Sequence, residues 1–165
     1  MQRLSPAGYS ATQILIHWVM AALVFFLLLF GESMKEVLDA AEEGKTVSAS
    51  DQFLADGHYW AGLTVLGLVA VRLILRFRHG APLAAGSEVS LMSRAAGAMH
   101  WLFYVLLLLV PATGLLAFYG FDEVGEIHEI GKPAFIVLIT LHAAAALFHQ
   151  FWIKDGALKR MFVPS

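Results

Sequence analysis

Four long apolar stretches alternate with short polar breaks along this chain. They run from about Thr12 to Phe30, Gln52 to Arg76, Leu91 to Phe118, and Glu123 to Ile153. A helix needs ~20 residues to cross the hydrocarbon core of a bilayer, so each stretch predicts a membrane span. The first break, Gly31 to Ser50, is polar and acidic, with Glu32, Glu36, Asp39, Glu42 and Glu43; it reads as room for a short amphipathic helix lying on the surface. The second, Gly80 to Ser90, is a short loop with Pro82, and the third, Tyr119 to Gly125, is shorter still. Pro111 lies mid-way along the third stretch and predicts a kink there. The first stretch follows Arg3, as a signal peptide would. It is longer than the usual ~7–15-residue apolar core and no small-x-small site follows, so it reads as a span.

The predicted fold class is therefore an all-α membrane protein: a four-transmembrane-helix bundle forming one integral membrane domain over residues 1–165. Composition agrees. The chain is 59% hydrophobic, against roughly 45–50% in soluble domains, and its mean hydropathy is +0.70. The spans use most of the chain, which leaves no room for a separate soluble catalytic domain. The absence of cysteine excludes disulfides, iron–sulfur ligation and covalent c-type haem attachment. No Walker motif, G-x-G-x-x-G or nucleophile elbow occurs, and no nucleic-acid partner is expected.

Charge sets an expected orientation. Arg3, Arg72, Arg76, Arg78, Arg94, Lys154, Lys159 and Arg160 fall on one side of the four spans, and only Lys35, Lys45 and Lys132 on the other. The positive-inside rule then puts both termini in the cytoplasm, in a bacterial inner-membrane, multi-pass protein in contact with membrane lipid. All acids except Glu88 and Asp155 lie on the outer side. Trp18, Trp60, Trp101 and Trp152 sit near span ends, where an aromatic belt belongs.

Candidate chemistry lies in the histidines, which are rare inside spans. The fourth span carries His128, His142 and His149, spaced by 14 and 7 residues, so all three return almost to one helix face. His17, His58 and His100 lie one to each of the other spans; His79 belongs to the basic edge. Depth does the pairing. His142 and His149 are only about 10 Å apart along a helix, too close for two stacked macrocycles. His128 and His149, about 31 Å apart, span the whole hydrocarbon core. His128 and His142, about 21 Å apart, fit two centres. The expected arrangement is thus two b haems: an outer one on His58 and His128, and an inner one on His17 and His142, each iron bis-histidine and six-coordinate. Such a site has no open position and suits electron transfer. Pro133 leaves two readings of His128. It lies on a helix begun at Asp122 as N-cap, or it sits on a turn before a helix that starts near Pro133.

The remaining residues keep two readings each. His100 and His149, both toward the inner side, are candidates for a quinone site, or hydrogen-bond between helices. Arg72 and Arg76 are candidates for haem propionate contacts, since arginine pairs well with carboxylates, or anchor the inner surface. Gly62 and Gly67 either let a flat macrocycle approach the backbone or are ordinary small residues of membrane helices.

Ile16-His17-Trp18, His58 with Val71-Arg72-Leu73-Ile74-Leu75-Arg76, His100 with Pro111-Ala-Thr-Gly114, and above all Glu126-Ile-His-Glu129 leading to Leu141-His142, Phe148-His149 and Phe151-Trp-Ile-Lys-Asp155 resemble the bacterial cytochrome b561 family. The resemblance covers nearly the whole chain and extends to the cytochrome b subunits of membrane hydrogenases and formate dehydrogenases. It implies four helices, two b haems, and ligands at His17, His58, His128 and His142. The family activity it implies is oxidation of superoxide at the periplasmic haem and reduction of ubiquinone near the cytoplasmic side, with His149 and His100 near the quinone. One departure stands out: where the family has lysine before the Glu-Ile-His-Glu motif, this chain has Gly125, amid Asp122, Glu123, Glu126 and Glu129. Clustered negative charge lowers the local concentration of an anion such as superoxide. It suits a basic periplasmic electron donor better, so a quinone-linked carrier or an anchor subunit for a dehydrogenase stands as the alternative function. A third reading is a helical membrane protein whose histidines bind metal ions or carry protons without haem.

Overall fold

A computed structural model describes residues 8–80 and 91–164. Arg3, Pro82 and Glu88, used above for charge and loop readings, lie outside these residues. Four helices dominate: α1 (Ala11–Glu42), α2 (Ala49–His79), α3 (Leu91–Phe118) and α4 (Gly125–Phe148). Each is long and apolar enough to cross a membrane, and no strand occurs among the described residues. A 3-10 turn (Asp122–Val124) precedes α4. A π-turn (His149–Ile153) and a last 3-10 turn (Lys159–Met161) follow it.

Local chemistry sets the helix ends. Ser10 and Gln13 form a capping box at the start of α1: Gln13 N–H donates to Ser10 Oγ at 3.3 Å, and Ser10 N–H donates to Gln13 Oε1 at 3.0 Å. Ser48 Oγ accepts from Asp51 N–H at 3.1 Å and starts α2. α1 stops where Gly44 takes a positive φ of 65° and Lys45 N–H turns back to the Ala40 carbonyl at 2.8 Å.

The first helix corrects one expectation. Gly31–Glu42 is no separate surface helix but the continuation of α1. At 1.5 Å per residue the helix is about 48 Å long, against an apolar layer of about 30 Å. Its last three turns therefore stand clear of the hydrocarbon and carry Glu32, Glu36, Asp39 and Glu42 into water. The fourth helix corrects another. Its N-cap position is Val124 rather than Asp122, with no side-chain hydrogen bond. Pro133 lies inside α4 without ending it, so His128 and His142 sit on one continuous helix.

The helices run up, down, up, down. Gln13 near the start of α1 donates to the carbonyl of Gly80 at the end of α2, at 3.5 Å. Ser33, far along α1, donates to Asp51 at the start of α2, at 3.4 Å. Tyr59 on α2 meets Tyr119 just past α3 at 3.1 Å. α1 packs on α2, α2 on α3, and α3 on α4. One end of the bundle thus gathers Arg72, Arg76, Arg94, Lys154, Lys159 and Arg160, and the other Glu32, Asp39, Glu42, Asp51 and Glu126. We call them the basic and acidic ends.

Inward positions follow alternating steps of three and four residues, the pattern of a helix with one buried stripe. On α4 they are His128, Gly131, Phe135, Leu138 and His142; on α2, His58, Gly62, Val65, Val69 and Arg72. Between the histidine levels lies an apolar middle layer of Ile16, Met20, Val24, Val65, Val69, Tyr104 and Phe135. The outer faces carry exposed Leu15, Phe25, Leu29, Leu108 and Val137, which suits lipid contact.

Candidate functional site

The acidic-end site is built from all four helices. His58 and His128 face each other with ring centroids 6.0 Å apart and planes at 79°. Around them a cavity of about 590 Å³, in the ~300–1,000 Å³ range of small-molecule sites, is lined by Val24, Leu28, Gly62, Leu107, Gly131 and Phe135 among others. Three glycines shape it. A Cβ on Gly114 would meet the His128 ring at 2.7 Å, and one on Gly31 would lie 3.5 Å from the His58 ring. Gly62 has no atom within 4 Å of where its Cβ would be, so a side chain there would stand in the open space of the cavity. Gly67 does not line it.

The motif Pro111-Ala-Thr-Gly114 now has a physical meaning. Gly114 lets the His128 ring lie against the α3 backbone, where His128 Nδ1 is 2.8 Å from the Val110 carbonyl. A carbonyl only accepts, so Nδ1 carries the proton and Nε2 keeps its lone pair. Metal-bound histidines characteristically donate their other nitrogen in this way. His58 Nδ1, by contrast, is buried with no hydrogen-bond partner. At the mouth, Lys132 pairs with Glu32 at 2.6 Å and Lys35 with Glu129 at 3.8 Å, tying the α1 extension to α4.

The basic-end site brings three imidazoles together. His142 lies 6.4 Å from His17 and 5.6 Å from His100 between ring centroids, with Phe103 edge-on at 5.3 Å. His100 Nδ1 donates to the Ala96 carbonyl of its own helix at 2.7 Å, which likewise leaves the lone pair on Nε2. The charge of Arg72 acts on all three rings. Arg76 instead lies over the rings of Trp101 and Tyr104, 5.4 and 5.7 Å from their centroids, a cation–π arrangement.

His149 stands apart from both clusters, in the π-turn beyond α4. Its Nδ1 donates to Asp155 Oδ2 at 2.6 Å. Asp155 Oδ1 accepts from the Ala157 N–H at 2.9 Å. Burial by itself raises the Asp155 carboxyl. The hydrogen bonds from His149 and Ala157 and the nearby Arg160 charge outweigh it and hold the group below the usual aspartate value. Beside this turn Gln150 Oε1 is buried without a partner, and a smaller cavity of about 350 Å³ is lined by Gln150, Phe151, Lys154, Gly156 and Lys159. The tail then folds back on α1: Trp18 Nε1 donates to the Met161 carbonyl at 2.8 Å, and Phe162 packs on the indole.

Metal–imidazole bonds of about 2.0–2.1 Å on opposite sides of one ion put two ring centroids roughly 6 Å apart. The pairs His58–His128 and His17–His142 have that separation. With a carbonyl-oriented imidazole, an orphaned Nδ1 opposite it and a glycine-cradled apolar slot, the acidic-end residues fit a b haem. A four-helix membrane bundle with facing histidines at two depths is the architecture of a membrane cytochrome b. The chain belongs to the prokaryotic cytochrome b561 family, whose sequence model matches residues 8–164. It is similar to cytochrome b562 of Cereibacter sphaeroides, 37% identical over 95% of this chain and 96% of that one. It is also similar to cytochrome b561 homolog 1 of Escherichia coli K12, 29% identical over 93% and 96% of the two chains. A probable superoxide oxidase, CybB, of Yersinia pestis is 25% identical over 93% and 94%. Membership makes this a multi-pass membrane protein of transmembrane electron transfer that uses b-type haem.

Two parts of the site were not read from the sequence. His100 joins His142 as closely as His17 does; its position four residues after Ala96 and near the depth of His142 was visible, but not its orientation. The Asp155 partner of His149 lies six residues on, a spacing that a regular helix would put about 120° apart around its axis.

Proposed function

We propose that the chain is a di-haem cytochrome b that oxidises superoxide on its acidic side and reduces ubiquinone near its basic side. The observation that carries the two-centre reading is the pair of facing imidazoles at each end, 6.0 Å apart for His58–His128 and 6.4 Å for His17–His142. On this reading His58 and His128 hold the outer haem and His17 and His142 the inner one. A b haem held by two imidazoles supplies one-electron transfer without a free coordination position. The chain's own residues set the rest. Val110 and Gly114 aim His128, and the apolar middle layer keeps water out between the levels. Arg72 sits among the basic-end histidines as a candidate partner for propionate, with Arg76 one turn further on. His149 and His100 are the candidate quinone contacts.

The distribution of arginine and lysine supports the basic end as the cytoplasmic one, with both termini inside, on the reading of a bacterial inner-membrane protein. Support for superoxide as donor is the similarity to the probable superoxide oxidase of Yersinia pestis. The test is the purified chain loaded with haem and given superoxide and a ubiquinone analogue. Ubiquinol formed with one dioxygen per electron is the expected result; haem reduction by superoxide with no ubiquinol would overturn the coupling.

A second reading is favoured by the acidic extension of α1. Glu32, Asp39 and Glu42 line the mouth of the acidic-end cavity with Lys35 and Lys132, both of which are already ion-paired. A cationic periplasmic donor, free-standing or part of a dehydrogenase, meets attraction there, whereas superoxide meets repulsion. Added salt screens either effect. Reduction by superoxide is therefore expected to quicken as salt rises, and slowing would contradict net repulsion at this mouth.

A further inference from the structure

The helical ladder of the fourth span is deliberately broken at one place. After Phe148 the backbone turns through the π-helical residues His149–Ile153, and Lys154 takes a left-handed conformation with φ 58° and ψ 35°. It is the one non-glycine residue with positive φ among the described residues. Its N–H closes the turn on the His149 carbonyl at 2.7 Å. Irregular turns of this kind are uncommon and cluster where a side chain has to be aimed. Here the outcome is that Asp155 returns to His149.

That contact is built rather than incidental. The Asp155 side chain retains only 9% of its exposure and His149 24%, and both carboxylate oxygens are engaged, Oδ2 by His149 and Oδ1 by the Ala157 N–H. The segment beyond is held to α1 by the Trp18–Met161 hydrogen bond. The carboxylate fixes the proton of His149 on Nδ1, and no protein group among the described residues is bonded to Nε2. With Nδ1–H donated to the carboxylate, Nε2 is the ring nitrogen left to take up a proton and pass it on.

Resting on the reading of His149 as a quinone contact, we propose that Asp155 is a positioning residue for quinone reduction: it orients His149 so that Nε2 takes a proton from water at the basic rim and passes it to a quinone oxygen. Reduction of quinone to quinol takes two electrons and two protons. On the proposed reaction two superoxide ions each lose one electron and leave as dioxygen. The Nε2–H bond of His149 breaks as the quinol O–H bond forms, and water at the basic rim returns the proton, twice per quinol. Asp155 keeps the Nδ1 proton throughout.

The experiment is steady-state ubiquinol formation from superoxide and a short-chain ubiquinone by haem-loaded wild type, Asp155→Asn, Asp155→Glu and His149→Gln, compared at equal haem content. The expected result is a kcat on the order of 10-fold or more lower in Asp155→Asn, with KM for quinone near that of wild type and partial recovery in Asp155→Glu. A rise in KM alone, a wild-type kcat in Asp155→Asn while His149→Gln is slow, or loss of haem from Asp155→Asn would overturn the role of Asp155. A wild-type kcat in His149→Gln, or no quinone turnover by the wild type, would instead overturn the quinone reading of His149, and the proposal with it.

Discussion

The two ends of this bundle solve the same problem with different numbers of parts. At the acidic end there are two imidazoles, and the backbone makes way for them: Gly114 leaves room for the His128 ring, Gly31 borders His58, and Gly62 leaves space open between the helices. At the basic end His17 and His100 converge on His142, and no glycine among the described residues lies against the three rings. The difference teaches that facing histidines are not interchangeable markers. On the proposed haem assignment, the two imidazoles of the acidic end leave neither to spare. Where there are three, one is left over for another task, and only its removal identifies which.

The largest expected effects come from removing the proposed haem ligands. His58→Ala and His128→Ala should each lower the haem-to-protein ratio from about two to about one, read by the reduced-minus-oxidised spectrum. At the other end His17→Ala should do the same, whereas His100→Ala should retain both haems. Equal losses in the last two would mean that His142 accepts either partner, and the assignment of His17 would fall.

A smaller effect is expected from the cradle. Gly114→Ala puts a methyl group 2.7 Å from the His128 ring, closer than real Cβ contacts allow. Haem retention at the acidic end should drop while the basic-end haem keeps its spectrum and midpoint potential. A change shared by both would show that the ends are not independently built.

The Asp155 contact predicts a pH dependence of stability. Its carboxyl lies below the ordinary value in the folded chain, so the unfolded chain binds its proton more readily. The contribution is present above the unfolded value of about 3.9 and is lost as pH falls through the folded value. Wild type should therefore be more stable than Asp155→Asn at neutral pH, with the gap closing below about pH 4. A gap that stays constant down to acid pH would show that charge is not what Asp155 contributes.

The smallest effect belongs to the mouth of the acidic-end cavity. Lys132→Ala removes the exposed pair with Glu32, and exposed pairs contribute little to stability. Its melting temperature should match wild type, while its rate with superoxide should fall, since a cation is lost where the anion arrives. A large loss of stability would mean that the pair holds the α1 extension in place.

Much of this was legible from spacing. The apolar stretches marked four helices because bilayer thickness dictates their length, and the 14-residue step from His128 to His142 put both on the inward face of α4. The length of α1 was not legible from hydropathy. Once nucleated, a helix continues through good helix formers whatever their polarity, and Lys35, Glu36, Leu38, Ala40 and Ala41 are such residues. Only Gly44 stops it. The His149–Asp155 contact was hidden for the opposite reason: it depends on a departure from helical periodicity, which periodicity cannot announce.

The clasp between Trp18 and the Met161 carbonyl joins residues 143 positions apart. It sets an order of events during biosynthesis. At roughly 5–20 residues per second of translation, the first helix rests in the bilayer for several seconds before the residue that fastens it has been made. Over that interval it is held by its apolar surface, by α2 and, once α4 has been made, by the ion pairs of Glu32 with Lys132 and Lys35 with Glu129. A chain cut short before Met161 can still carry all the histidines, yet it lacks this clasp, so the clasp forms only once Met161 has been made.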